Sequence, residues 1–151
     1  MKIISTQFKH NEHIPAKYTC NGENINPPLE FSDIPEQAKS LALIMEDPDV
    51  PKHLREDGMW NHWLLWNIEP STTQILEGQE PEAIHGITTS NTLNYVGPCP
   101  PDREHRYFFK LYALDIELEL KEGATKEELL HTMTGHILDE AELIGLYEQN
   151  R

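Results

Sequence analysis

Two imidazoles, two carboxylates and a proline-stiffened loop are the groups of this chain whose spacing could build a binding site. His105 stands where Gly97-Pro98-Cys99-Pro100-Pro101, a loop limited in φ and poor in backbone donors, runs into the aromatic stretch Arg106-Tyr107-Phe108-Phe109. Asp47 and Asp49, in Asp47-Pro48-Asp49-Val50-Pro51, close the apolar run Leu41-Ala42-Leu43-Ile44-Met45. His62, in Trp60-Asn61-His62-Trp63, opens the run Leu64-Leu65-Trp66. Each group thus lies at the mouth of a predicted strand, from which all could converge on one pocket. An anionic ligand needs donors, and in an acidic protein the nearest are imidazoles kept protonated by adjacent carboxylates. Asp47 and Asp49 are therefore expected to orient His62 and His105 and to raise their pKa values. One carboxylate is also suited to accept a proton-bearing group of the ligand.

Every one of these residues has a structural reading as well. A histidine beside an apolar strand commonly serves as a hydrogen-bonded structural group, and Asp-Pro-Asp is a frequent turn opener. Trp60, Trp63 and Trp66 read most simply as core. Strand parity turns Arg106 away from His105, as an ion-pair partner. Two histidines and two carboxylates suffice in number for zinc or non-haem iron, but no local ligand spacing such as His-Glu-x-x-His is present, so no metal is expected. No Gly-x-Ser-x-Gly elbow occurs, and Cys99 lacks an activating neighbour. The expectation is a binding protein without cofactor, not an enzyme.

Taken in order, Asp47-Pro48-Asp49-x-Pro51, Trp60-x-His62-Trp63, Gly97-Pro98-x-Pro100-Pro101 and His105-Arg106-Tyr107 resemble the phosphatidylethanolamine-binding protein family, in its bacterial and archaeal Raf kinase inhibitor-like branch. The likeness extends from Ser5 and Phe8 through Tyr18-Thr19-Cys20-Asn21-Gly22 and Pro27-Pro28-Leu29 to Gly135-His136-Ile137-Leu138 and Tyr147. It implies a mainly β domain, a large antiparallel sheet packed against a smaller one, with short C-terminal helices. It also implies a pocket for phosphate or a phosphoethanolamine-like headgroup at Asp47, Trp60, His62, Pro101, His105 and Tyr107, with Trp60 and Tyr107 as flat walls. Asp49 joins these from its motif. A regulatory outcome, a kinase-pathway partner and a homodimer belong to the same resemblance. Inhibition of serine proteases through a rigid surface loop is the second reading the family suggests. Asp102-Arg103-Glu104 departs from the pattern, since many relatives carry a glycine there, and places Arg103 at the pocket rim.

The elements that must carry these groups are mostly strands. The chain has 151 residues, enough for one domain spanning 1–151. Its net charge of -14 is repelled by nucleic acids and anionic bilayers. No apolar run suggests a signal peptide or membrane span, so a cytoplasmic location is expected, with Cys20 and Cys99 as two free thiols. Strands are predicted over Ser40–Glu46, His62–Ile68 and Arg106–Leu118. Alternation puts His62, Leu64, Trp66 and Ile68 on one face of the second, and His105, Tyr107, Phe109, Leu111 and Ala113 on one face of the third. Thr125 and Glu128 form a capping box before Leu129, Leu130 and Met133, and Ile137, Leu138, Ala141 and Ile144 stripe a second helix beyond Gly135. Residues 52–58 and 69–92 read as loops shaping the entrance.

Overall fold

The computed structural model describes residues 1–149. Four long strands, β4 (Ser40–Asp47), β5 (Trp60–Ile68), β8 (His105–Leu114) and β9 (Ile137–Tyr147), form the body of a larger sheet, whose edges are the two-residue strands β2 (Glu12–His13) and β7 (Ile84–His85). Its order is β2-β9-β8-β4-β5-β7. All pairings within it are antiparallel except that of β2 with β9, which is parallel. A second sheet consists of β1 (Lys2–Ile4), β3 (Leu29–Ser32) and β6 (Gln74–Ile75), in the order β1-β3-β6.

The large sheet is buried on both faces, which explains why the apolar run of β4 shows no alternation. Toward the small sheet, Leu41, Leu43, Met45, Trp63, Leu65, Tyr107, Phe109 and Leu111 pack with Ile3, Leu29, Phe31 and Ile75. On the opposite face Ala42, Ile44, Leu64, Trp66 and Leu114 meet Leu129 and Met133 of α1 (Lys126–Met133). The helix opens on the expected capping box: Thr125 accepts from the Glu128 amide while Glu128 accepts from that of Thr125. These three layers hold the strand ends that bear the candidate site.

Two bulges revise the face assignments on β5. Leu41 pairs with Ile68 and Leu43 with Leu65, so β5 has one residue too many there; Asn67 takes φ 54° and is clasped through its side chain by both backbone groups of Leu118. Ile68 consequently falls on the face of Trp63 and Leu65, not that of Leu64 and Trp66. At the other end Met45 pairs with Trp63 and Glu46 with Asn61, which leaves His62 as the extra residue. A bulge re-aims a side chain; here it brings the His62 ring against Tyr107, on the face of the sheet opposite Leu64 and Trp66.

Three other expectations are corrected. Residues 137–147 form a strand, not a second helix. Gly135 at φ 84° ends the helical region, and β8 then pairs with β9 from His105 opposite Tyr147 to Leu114 opposite Ile137. Leu143, Gly145 and Tyr147 follow the period of two that the apolar stripe concealed. Gly145 is required there, because a Cβ would come within 2.4 Å of Ile14. Cys20 and Cys99 are joined in a disulfide with Cα atoms 5.5 Å apart, so they are not free thiols. The intervening loops bring together residues that 79 sequence positions separate. Within 69–92, expected as loop, lie the short strands β6 and β7.

Candidate functional site

A cavity of about 390 Å³ opens at the end of the large sheet where β4 finishes and β5 and β8 begin. Asp47, His62, Tyr107 and Ser90 are among its polar side chains. Val50, Leu54, Trp60, Val96, Pro100 and Pro101 supply most of its walls. The volume is of the size that small-molecule sites occupy.

Asp47 is nearly buried and fully engaged on one side: Oδ1 accepts from the Asp49 amide at 2.7 Å and Oδ2 meets His105 Nδ1 at 2.6 Å. Burial raises its pKa, against the opposing pull of the His105 contact and the Asp49 amide. His105 is wholly buried, and its Nε2 meets Asp102 Oδ1, also at 2.6 Å. A neutral imidazole has only one N–H, so the two short contacts hold two protons across Asp47, His105 and Asp102. This ring therefore braces the cavity floor from behind, without itself lining the cavity.

His62 is arranged differently from expectation. Among the described residues no carboxylate is hydrogen-bonded to it; its Nδ1 donates to the Val96 carbonyl at 2.6 Å, which leaves Nε2 for the cavity. Burial pushes its pKa down to about 4, the nearby His105 adding to the effect and the Val96 bond opposing it. The ring is neutral at pH 7, and the expected carboxylate-raised imidazolium does not exist at this position. Tyr107 packs edge-on against His62, with centroids 5.3 Å apart, and stacks on His105 at 6.4 Å. The two histidines thus flank one phenol ring. Burial and the adjacent Asp47 carboxylate keep that phenol protonated; the hydroxyl lies within the influence of Asp47, yet makes no hydrogen bond of acceptable geometry among the described residues.

Trp60 lines the mouth, where Nε1 donates to Ser90 Oγ at 3.3 Å and Arg55 lies over the ring at 5.9 Å. Trp63 and Trp66 are core, each with its indole N–H satisfied, by Glu80 and by the Leu120 carbonyl. Asp49 turns away from the cavity: it accepts from the Arg106 amide, Nε and Nη2 at 2.8–2.9 Å. It therefore orients neither histidine. Arg103 is exposed and donates to the Asp49 carbonyl, outside the cavity lining. Among the described residues no group of three or more His, Cys, Asp or Glu is placed to hold a metal ion, and no helix is long and apolar enough to cross a membrane.

The Arg106 partnership holds the Asp49 carboxyl below its usual range, opposed by partial burial. A depressed acid contributes stability above its unfolded pKa of about 3.9 and loses it as pH falls toward the folded value. Because Arg106 is half exposed, Asp49→Asn is expected to cost only about 1 kcal/mol at pH 7. Denaturant unfolding of the two proteins should show that difference shrinking below pH 4.

Three contributors escaped the sequence reading. Val96 acts through its carbonyl, which carries no residue signature; Ser90 lies in an unpatterned loop. Asp102 belongs to the segment that departs from the family pattern, the one signal that could have drawn attention to it.

Fold and site together define a two-sheet β domain with a ligand-sized cavity at one end of its larger sheet. The model of the family described as phosphatidylethanolamine-binding protein matches residues 4–148. The chain belongs to that family, whose fold is known for ligand binding. The UPF0098 protein of Chlamydia muridarum is 53% identical over 150 residues, covering 99% of this chain and 100% of the relative. That of Methanothermobacter thermautotrophicus is 48% identical over 155 residues, covering 99% of each. A crystal structure of a phosphatidylethanolamine-binding protein homolog from Chlamydia trachomatis superposes with a TM-score of 0.96 at 50% identity, covering 99% of this chain and 97% of the other. Escherichia coli YbcL, described as a member of the mammalian family, gives 0.88 at 25% identity, with 99% and 98% covered. None of these four carries an enzymatic name.

Proposed function

We propose that the cavity binds a small phosphate-type ligand that also carries a proton donor, such as a phosphoethanolamine headgroup, and that the protein acts by binding, not by turnover. The observation that supports this most is the Tyr107 hydroxyl, buried beside Asp47 but with no hydrogen bond of acceptable geometry among the described residues, in a cavity that also holds His62. A buried hydroxyl left unsatisfied costs about 1–3 kcal/mol, so a ligand acceptor at this point recovers free energy. With neutral His62 and Asp47 beside it, the floor is richer in acceptors than in donors. A ligand bearing an ammonium or a protonated phosphate oxygen supplies what is missing, toward Asp47, while its anionic oxygen meets the Tyr107 hydroxyl and, once Nε2 has taken up a proton, His62. The apolar walls exclude water from these contacts and strengthen them.

Isothermal calorimetry with glycerophosphoethanolamine tests the reading, with sodium glycerol phosphate and ethanolamine as separate halves. The intact headgroup is expected to bind more tightly than either half. Equal binding of glycerol phosphate alone would remove the role given to Asp47, and no binding of any of the three would overturn the proposal.

A further inference from the structure

The disulfide lies on the wall of this cavity. Cys99 is among the lining residues, and both Cys99 and Cys20 are exposed to solvent. The segment it tethers contributes Val96, Gly97, Cys99, Pro100 and Pro101, nearly half of the lining. The opposite partner is the turn at residues 16–24, and the two are clasped tightly. Cys20 donates its amide to the Pro98 carbonyl at 3.1 Å, Gly97 donates to Asn24 Oδ1 at 2.8 Å, and the Tyr95 hydroxyl donates to the Tyr18 carbonyl at 2.7 Å. A Cβ on Gly97 would stand 2.2 Å from the Tyr18 carbonyl oxygen. The same segment supplies the Val96 carbonyl that fixes the tautomer of His62. A single covalent bond therefore links the outer turn, the cavity wall and the orientation of the imidazole.

We propose that Cys20–Cys99 is a reversible thiol–disulfide exchange site that sets the affinity of the cavity: oxidised, it holds the 95–101 wall in its binding form, and reduced, it releases that wall. Buried structural disulfides resist exchange, whereas exposed ones are the labile and regulatory kind. The co-reactant is a small or protein dithiol. Its thiolate attacks one exposed sulfur to give a mixed disulfide and releases the other cysteine as a thiolate. Its second thiol then displaces the first cysteine. Two electrons and two protons pass from the dithiol, leaving two Cys–SH groups and an oxidised co-reactant. Without the bond, the wall is tied to the turn by the hydrogen bonds of Cys20, Gly97 and Tyr95, the last of them buried. The location expected from sequence, a reducing cytoplasm, would populate the open state, and an oxidising surrounding the closed one.

The effect on affinity rests on the ligand reading above, so the test has one arm that uses a ligand and one that does not. Oxidised protein, protein reduced with dithiothreitol under native conditions, and Cys20→Ser/Cys99→Ser are compared. Calorimetry with glycerophosphoethanolamine is expected to show at least fivefold weaker binding for the reduced protein and the double variant alike. Amide hydrogen exchange is expected to show faster exchange at Cys20 and Gly97 in both, with β4 and β8 unchanged. Equal protection in the oxidised and reduced proteins, or a bond that dithiothreitol opens only after unfolding, would overturn the latch. If the oxidised protein binds no probe while Cys20 and Gly97 still respond to reduction, the latch stands and the ligand assignment falls.

Discussion

Tyr107→Phe is expected to weaken glycerophosphoethanolamine binding tenfold or more while making the free protein more stable by about 1 kcal/mol. The opposite signs follow from one fact: the hydroxyl makes no hydrogen bond of acceptable geometry among the described residues, although Asp47 is near. Its removal relieves a desolvated group, which costs about 1–3 kcal/mol when left unsatisfied. The ring itself keeps its place, since Phe retains the edge contact with His62 and the stacking on His105. In the complex, a hydrogen bond to a charged phosphate oxygen contributes about 1.5–3 kcal/mol, which sets the expected loss. Denaturant unfolding and calorimetry on the same preparations supply both numbers. A variant that is less stable yet binds normally would show that the hydroxyl is structural, and that the ligand lies elsewhere in the cavity.

The second large effect is on pH. With a pKa near 4, His62 is neutral in the free protein at physiological pH, and its Nδ1–H is committed to Val96. Nε2 can donate to a phosphate oxygen only by taking up a proton. Between about pH 4 and the pKa of the complex, affinity for an anion should therefore fall about tenfold per pH unit as pH rises, with one proton taken up on binding. Above the bound pKa it should level off. A phosphodiester is the suitable probe because its charge does not change across this window. Asp47, whose pKa is raised by burial, acts with the opposite sign, because its protonation removes the acceptor that the ligand's donor needs, so two variants separate them. His62→Asn keeps a donor for Val96 but cannot charge, and it should abolish the slope. Asp47→Asn should weaken binding and keep the slope. Binding of unchanged strength from pH 5 to 8 would assign the anion to Tyr107 and backbone amides alone.

The same group has a stability consequence in the absence of ligand. For a base whose folded pKa is depressed, the unfolded chain takes up the proton first, so stability is lost as pH falls from about 6.5 toward 4. The shift corresponds to about 3 kcal/mol. Wild type should lose roughly that much more than His62→Asn across this interval.

Sequence alone carried the family, because ordered short motifs are local properties, and the two-sheet architecture came with that resemblance. The three long strands that frame the cavity were readable in this way, as was the capping box of α1, and Arg106 was separated from His105 by parity alone. The remainder depended on partners distant in the chain. Ile137–Tyr147 contains both a helical and a strand period, and only the unpaired edge of β8 selects the strand. Parity misplaced His62 because a bulge is a mismatch between two strands and cannot be seen in one. Asp49 and His62 were paired by charge logic, whereas Arg106 offers Asp49 a backbone amide and a guanidinium together, and burial removes the charge from His62. Cys20 and Cys99 were read as thiols from compartment and spacing; their bond exists because two loops meet at the cavity wall, and loop closure over 79 positions leaves no trace in local sequence. Residue types determine what chemistry is available here, and the tertiary contacts decide which proton each group holds and which side of the sheet it faces.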